Sequence, residues 1–149
     1  MGLDVANIGR EFPPTTTYLV GREKIREFAR AVGETSVASL DVKAARAAGF
    51  SDLVAPVTFP IVITLEMMGA QVTSPDVGVD WARVVHGDQR FAFARPVIAG
   101  MELESTTVIE DIKSMAGNDI ITLRGDLREF EGALVCQVWT SLVVRGDAA

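Results

Sequence analysis

The sequence predicts an α+β fold in which a long antiparallel sheet of about five strands wraps around one buried central helix. Two observations lead to this prediction. The run from Phe59 to Met68 is apolar almost all round, as in a helix enclosed by other parts of a protein. After Trp81 the chain changes to segments rich in Val, Ile, Thr, Phe and Trp with much period-two alternation, which is the pattern of consecutive β-strands.

The N-terminal part predicts one strand and two short helices. Residues 15–21, TTTYLVG, are β-rich and end at a glycine. An amphipathic helix follows, with apolar residues at i, i+3, i+4 and i+7: Ile25, Phe28, Ala29 and Val32. The segment DVKAARAAGF then predicts a second helix, with Asp41 as its N-cap and Gly49 as its C-terminal stop.

The apolar run itself predicts a helix from about residue 59 to 71. Pro60 is tolerated in a first helical turn, and Thr58 offers a hydroxyl that can cap the helix. The loop SPDVGVD, residues 74–80, ends it.

The second half predicts antiparallel strands joined mostly by short turns. The breaks between them fall at glycines: Gly87, Gly100, Gly117 and Gly132. One strand, two helices, one very apolar helix and then four or five long strands is the order of a hot-dog fold. We expect residues 1–149 to form one such domain, with a core from about 9 to 145.

Charge and composition exclude several classes of protein. The net charge is −6, and the basic residues are scattered, so a nucleic-acid binder is not expected. The sequence has no targeting segment and no apolar stretch near the ~20 residues of a membrane span, which predicts a cytoplasmic protein.

Cys136 stands alone in an apolar run and is expected in the core. Without a glycine-rich phosphate loop or a Cys/His cluster, no cofactor and no metal are predicted.

Four stretches carry a resemblance to a known family: GREKIREFARAVGE, AAGFSDLVAPVTFPIVIT, VVHGDQRFAFARPVIAGMELES and VCQVWTSLVVR. From about Gly9 to Arg145 the chain resembles the MaoC-like dehydratase N-terminal domain family. In particular, it is similar to the non-catalytic subunit of actinobacterial heterodimeric (3R)-hydroxyacyl-acyl carrier protein (ACP) dehydratases. The resemblance implies a subunit whose catalytic partner carries an Asp and a His.

The resemblance also shows where this chain departs from the catalytic pattern G-D-x-N-P-[ILV]-H. The family's Asp aligns with Glu34 and its His with Ser39. A serine hydroxyl cannot replace an imidazole as a general acid or base, a role that contributes roughly 10²–10⁴-fold to a rate. The longer Glu34 side chain moves its carboxylate, and a misplacement of about 1 Å can cost about 10²-fold. The isolated chain is therefore expected to be inactive.

Two other residues are rival catalytic candidates. His86, the only histidine, is either an acid or base near the sheet edge or the donor or acceptor of an ordinary hydrogen bond. Glu66 interrupts the apolar helix, where a carboxylate must be paired or reach solvent. Some hot-dog thioesterases place a catalytic carboxylate on this helix, so Glu66 with Asp76 or His86 would make a thioesterase; an interface position or an arginine partner would explain Glu66 equally.

The turn before the central helix is the candidate site for a substrate. Backbone N–H groups at the start of a buried helix can bind a thioester carbonyl, although Pro56 has none to offer. Methionines on the helix could line an acyl tunnel, and they would equally suit a packed core. The candidate substrate-binding residues are Ala55, Pro56, Val57, Thr58, Phe59, Met67 and Met68.

The sequence thus predicts an acyl-thioester-binding, non-catalytic subunit of a (3R)-hydroxyacyl-ACP/CoA dehydratase in fatty acid metabolism. The substrate would be an acyl-ACP or acyl-CoA thioester, and the partner a catalytic MaoC-like chain. A stand-alone, homodimeric acyl-binding hot-dog protein remains the alternative. Since ACP is acidic, its docking would need a local basic surface, for which Arg83, Arg90 and Arg95 are the candidates.

Overall fold

The computed structural model describes residues 2–146. Three α-helices and six β-strands follow one another along this part of the chain, with short 3₁₀ turns between them. In chain order they are β1 (Glu11–Phe12), β2 (Tyr18–Leu19), α1 (Arg22–Ala31), α2 (Val42–Ala47), α3 (Pro60–Val72), β3 (Val84–Phe93), β4 (Glu102–Met115), β5 (Asn118–Glu129) and β6 (Leu134–Val144). None of the helices in residues 2–146 combines the length and the hydrophobicity that a membrane-spanning helix needs.

All six strands belong to one antiparallel sheet with the order β1-β4-β5-β6-β3, and β2 also pairs with β4. The predicted hot-dog fold is confirmed, with four long strands and two very short ones. The predicted strand at 15–21 shortens to Tyr18–Leu19, and the pairing of Glu11–Phe12 was not predicted.

The sheet buries one face and leaves the other in contact with solvent. Along β4 the buried residues alternate strictly, as expected for a half-buried strand: Leu103, Ser105, Thr107 and Ile109. The same alternation runs through β5 and β6, so the three central strands present a continuous inner face to α3.

Helix α3 lies against this inner face through the side chains of Ile63, Met67, Met68 and Val72. Gly125 on β5 allows the close approach, because a Cβ atom there would lie 2.7 Å from the terminal methyl group of Met68. On the opposite side of α3, Leu65 and Glu66 are exposed. The helix is therefore covered by the sheet on one side and open on the other.

The short helices form as their end signals predict. The Asp41 side chain accepts a hydrogen bond from the Ala44 N–H at 2.7 Å and caps α2. Gly49 ends that helix with a φ of +95°, a conformation that favours glycine. By contrast, α3 begins at Pro60 without a side-chain cap, and Thr58 lies before it as an exposed turn residue.

Candidate functional site

The loop between α1 and α2 contains the two positions that the resemblance aligns with a catalytic pair. Gly33, with a φ of +71°, reverses the chain after α1, and the Glu34 N–H donates to the Ala29 carbonyl at 2.8 Å. The Glu34 carboxylate then turns back along the loop, where Oε1 accepts the Ser36 N–H at 2.8 Å. Glu34 thus stabilises the turn in which it lies.

Ser39 connects this loop to the segment before α3. Its side chain is 3% exposed, and its Oγ donates a hydrogen bond to the Val54 carbonyl oxygen at 2.7 Å. In the other direction, the Val54 N–H donates to the Ala38 carbonyl at 3.0 Å. A serine nucleophile needs a base within hydrogen-bond reach. Among the described residues, the Ser39 hydroxyl contacts a carbonyl oxygen instead, so it acts as a structural link.

The turn from Ala55 to Phe59 leads into α3, and part of its backbone is already hydrogen-bonded. The Ala55 N–H donates to the Val97 carbonyl at 2.9 Å, and the Phe59 N–H donates to the Pro56 carbonyl at 2.9 Å. Pro56 has no N–H. Within residues 2–146, the N–H groups of Val57 and Thr58 have no hydrogen-bond partner, so these two are the available donors to a thioester carbonyl.

A cavity of about 350 Å³ lies beside this turn. Its walls are Val54, Ala55 and Val57 from the turn and residues 93–97 from the end of β3 and the chain that follows. Arg95 is the only charged residue among them, and its Nη2 lies 2.9 Å from Glu129 Oε2. The volume falls in the ~300–1,000 Å³ range of ligand pockets, and the lining suits an extended apolar segment.

The other predicted substrate-binding side chains lie in the packed core. Phe59 is fully buried between the rings of Tyr18 and Phe28, whose centroids lie 6.5 and 5.5 Å from its own. Met67 is 4% exposed in the same core cluster, and Met68 is 1% exposed in a second cluster. An acyl tunnel through these residues would therefore require their side chains to move.

The residues of the possible thioesterase site are not brought into contact. Glu66 reaches solvent on the open side of α3. Asp76 forms an ion pair with Arg10, and the nearby Ser74 side chain and the Arg10 guanidinium lower the pKa of Asp76 to about 2. His86 hydrogen-bonds to Gln89, and within residues 2–146 no contact joins it to Glu66 or Asp76.

The three arginines considered for carrier docking do not form a compact surface. Arg83 precedes β3, Arg90 lies within it and Arg95 follows it, and the strand's ten residues span roughly 33 Å. Arg90 stacks over the ring of Trp139 on the outer face of the sheet, 4.0 Å from its centroid. Across the described part of the chain, no group of His, Cys, Asp or Glu side chains is placed to hold a metal ion.

Comparisons with known proteins connect this geometry to dehydratases. The family described as FAS1-like, dehydratase domain region matches residues 6–138. A UPF0336 protein of Streptomyces coelicolor is 52% identical over 145 residues, which cover 97% of each chain.

Two solved structures extend the comparison. A chain of the HadBC (3R-hydroxyacyl-ACP dehydratase) complex from Mycobacterium tuberculosis is 33% identical, with a TM-score of 0.85 over 96% of this chain and 99% of that one. A MaoC-like dehydratase is also 33% identical, with a TM-score of 0.86, but the match covers 95% of this chain and 43% of that longer one. The chain belongs to the FAS1-like dehydratase-region family and shares the hot-dog fold of MaoC-like dehydratases.

Proposed function

We propose that this chain is the non-catalytic, acyl-thioester-binding subunit of a (3R)-hydroxyacyl-thioester dehydratase. A partner of the same fold would carry the catalytic Asp and His. The observation that carries this proposal is the hydrogen bond made by Ser39. Its buried hydroxyl donates to the Val54 carbonyl at 2.7 Å, at a position where the family pattern has an imidazole. Glu34 accepts a backbone N–H of its own loop. The two positions of the motif therefore make structural hydrogen bonds and do not form an acid–base pair.

A related protein supports the idea of a partner. The M. tuberculosis chain that matches this one over nearly its full length belongs to a complex named HadBC. Its substrate, by that name, is a (3R)-hydroxyacyl-ACP. We extend the same class of substrate and the same kind of assembly to the present chain.

The free edge of the sheet offers a place for that partner. Among the described strands, β3 pairs only with β6, so one side of its ten-residue backbone is unpaired. Beside it, Leu65 and Trp81 are 42% and 40% exposed, and Val85 on the strand is 49% exposed. A long free edge flanked by exposed apolar side chains favours association with another chain.

The cavity next to the Ser39 loop supports the binding of a thioester. Its walls are mainly apolar, and Val57 contributes both a side chain to the lining and a free backbone N–H. Arg95 lies at the same place, where its charge is paired with Glu129. A mainly apolar cavity with a few polar groups is the general form of a small-molecule site.

The test is reconstitution with a MaoC-like chain that retains the catalytic Asp and His. Mixing the two chains should raise the hydration of crotonyl-CoA and longer enoyl-CoA thioesters well above the partner's own rate. Native mass spectrometry of the same mixture should show a heterodimer.

Two other results would favour other functions. If the chain stays a homodimer with every such partner and binds acyl thioesters without turnover, it is a stand-alone binding protein. Release of free thiol by the isolated chain, abolished in Glu66→Gln, would instead identify a thioesterase.

A further inference from the structure

The fold gathers basic side chains that are scattered along the sequence onto one face of α1 and α2. On α1 these are Arg22, Arg26 and Arg30, which follow one another at intervals of four residues and so lie on one side of the helix. On α2, Lys43 and Arg46 are three residues apart and are likewise neighbours. We call these five residues the basic face. All of them except Arg26 are exposed.

Two contacts place the two rows of the basic face side by side. At one end, Arg22 donates to both oxygens of Asp52, at 2.9 and 2.6 Å, and Arg46 Nη2 lies 3.8 Å from the same carboxylate. Farther along α1, the Arg26 Nε donates to the Leu40 carbonyl at 2.9 Å, just before α2 begins. The last turn of α1 therefore lies next to the first turn of α2.

Arg30 and Lys43 lie in those two turns, at the second end of the basic face. Both side chains are exposed, and neither is paired with a carboxylate within residues 2–146. The other three members of the face each contact a carboxylate. The uncompensated positive charge of the basic face is thus concentrated at Arg30 and Lys43.

The charge balance distinguishes this part of the surface from the rest. Residues 22–52, which include the basic face, carry six basic and five acidic side chains, a net charge of +1. The rest of the sequence carries eight basic and fifteen acidic side chains, a net charge of −7. Two of the five carboxylates, those of Glu34 and Asp41, accept backbone N–H groups of their own loop or helix. An acidic protein is therefore attracted to the basic face and repelled by most of the remaining surface.

The basic face lies close to the turn that is proposed to bind the thioester carbonyl. The loop between α1 and α2 is joined to this segment by the hydrogen bond from Ser39 to Val54, and Val57 follows three residues later, at most ~11 Å away. In an acyl-ACP the thioester is carried on a phosphopantetheine arm, whose backbone has about as many bonds as five residues of extended chain and spans roughly 17 Å. A carrier docked at the loop end of the basic face can therefore bring its thioester to the Val57 N–H.

We propose that the basic face docks the acidic carrier protein of an acyl-ACP substrate, an inference that rests on the proposed function. Carboxylates of the carrier pair with Arg30 and Lys43, while its arm enters the cavity beside Val57. Val37, in the loop between the two helices, is 63% exposed and adds an apolar contact beside the charges. The chain then takes acyl groups from ACP in preference to CoA, since an acyl-CoA lacks the acidic protein surface that the basic face binds.

The test compares two substrates with the same acyl group and the same pantetheine segment. The unsubstituted chain, Arg30→Glu and Lys43→Glu are each paired with the catalytic chain. Hydration is measured with trans-2-octenoyl-ACP, made with an acidic bacterial carrier, and with trans-2-octenoyl-pantetheine. The pantetheine thioester has neither the carrier nor a phosphate group, so it makes no ionic contact with the basic face.

Lys113→Glu is the matched control, because it makes the same change in charge at another exposed lysine. Leu103 belongs to the core cluster that contains Ile25 of α1 and Ala45 of α2. Lys113 lies ten residues beyond Leu103 on β4, roughly 33 Å along the strand. A carrier on the basic face would not reach it.

The expected result is an effect that depends on the carrier. In Arg30→Glu and in Lys43→Glu, KM for octenoyl-ACP should rise roughly 3- to 10-fold, because each change replaces an attraction at an exposed site by a repulsion. The kcat value should stay the same, and KM for octenoyl-pantetheine should not change. Added NaCl should reduce the effect on KM for octenoyl-ACP, because salt screens exposed charges. Lys113→Glu should match the unsubstituted chain with both substrates.

Three results would overturn the inference while the proposed function stands. Equal KM for octenoyl-ACP in Lys43→Glu and the unsubstituted chain means that the carrier docks elsewhere. An equal rise in Lys43→Glu and Lys113→Glu means that the total charge, and no particular surface, governs this KM. A rise in KM for both substrates means that the substitutions disturb the thioester site itself. An unsubstituted pair that hydrates neither thioester would overturn the proposed function, and this inference with it.

Discussion

The Ser39 hydroxyl donates to the Val54 carbonyl oxygen at 2.7 Å, and this bond joins the loop after α1 to the segment that leads into α3. A catalytic member of the family would need an imidazole at the position of Ser39. The Ser39 side chain is 3% exposed, and its hydroxyl contacts the Val54 carbonyl. The hydrogen bond from Ser39 therefore holds the loop along the segment before α3, and it has a structural role.

Removal of this hydroxyl should destabilise the fold. Ser39→Ala leaves the half-buried Val54 carbonyl without its donor, so we expect the free energy of unfolding to fall by about 1 kcal/mol in urea titrations. Ser36→Ala is the matched control, since the Ser36 side chain is exposed in the same loop. Equal effects of the two substitutions would show that the bond from Ser39 contributes nothing.

Local signals in the sequence were enough to predict several elements of the fold. Asp41 and Gly49 mark the ends of α2 because a cap and a positive φ depend only on neighbouring residues. The alternation along β4 likewise predicts which face of that strand is buried. The close approach of α3 to Gly125 could not be predicted from neighbouring residues. It depends on the methyl group of Met68, which lies far away along the chain.

The candidate site was less predictable for the same reason. Val57 was expected at a binding turn, and it does line a cavity. The opposite wall, with Phe93 and Arg95, comes from the end of β3, and only the folded sheet brings it to the turn. Met67 was compatible with a tunnel or with the core, because hydrophobicity alone does not distinguish them; its 4% exposure places it in the core.

Asp52 should make the stability of the protein depend on pH in acid. Arg22 donates to both oxygens of Asp52, at 2.9 and 2.6 Å, and mainly for this reason the pKa of Asp52 falls from its ordinary value of 3.8 to about 2. A lowered pKa in the folded state means that the stabilisation is complete above pH 4 and is lost between about pH 4 and 2. Asp52→Asn should therefore lower Tm at pH 7, with a difference that shrinks towards pH 2.

Arg22→Gln is the control for this effect, because it removes the other member of the ion pair. It should lower Tm at pH 7 and lose its effect over the same acid range. A difference between Asp52→Asn and the unsubstituted protein that stays constant from pH 7 to 2 would contradict the assignment.

The turn between β4 and β5 holds Ala116 in an unfavourable backbone conformation, which a substitution can relieve. Ala116 and Gly117 have φ values of +50° and +78°, as in a type I′ turn, but alanine disfavours a positive φ. Asn adopts this conformation more readily, so Ala116→Asn should raise the free energy of unfolding by about 0.5–1 kcal/mol. Ala133→Asn, at an exposed position with negative φ in the next hairpin, should give no such gain in the same thermal or urea unfolding experiment.

The proposed docking side of the molecule can be tested by placing a charge on it. Leu65 is 42% exposed on the open side of α3, so Leu65→Asp should change the stability of the isolated chain little. In a complex that covers this side, the carboxylate would be buried without a partner, and the affinity for the catalytic chain should fall by about tenfold or more.

Leu19→Asp provides the matched control for this measurement. Leu19 is 64% exposed on β2, which pairs with β4 on the side of the sheet away from β3. The same substitution there should leave the affinity unchanged, because a partner docked along β3 would not reach it. Titration calorimetry with the catalytic chain compares the two variants directly. If Leu19→Asp weakens the complex more than Leu65→Asp does, the partner binds to the opposite edge of the sheet, and the assignment of β3 as the interface is wrong.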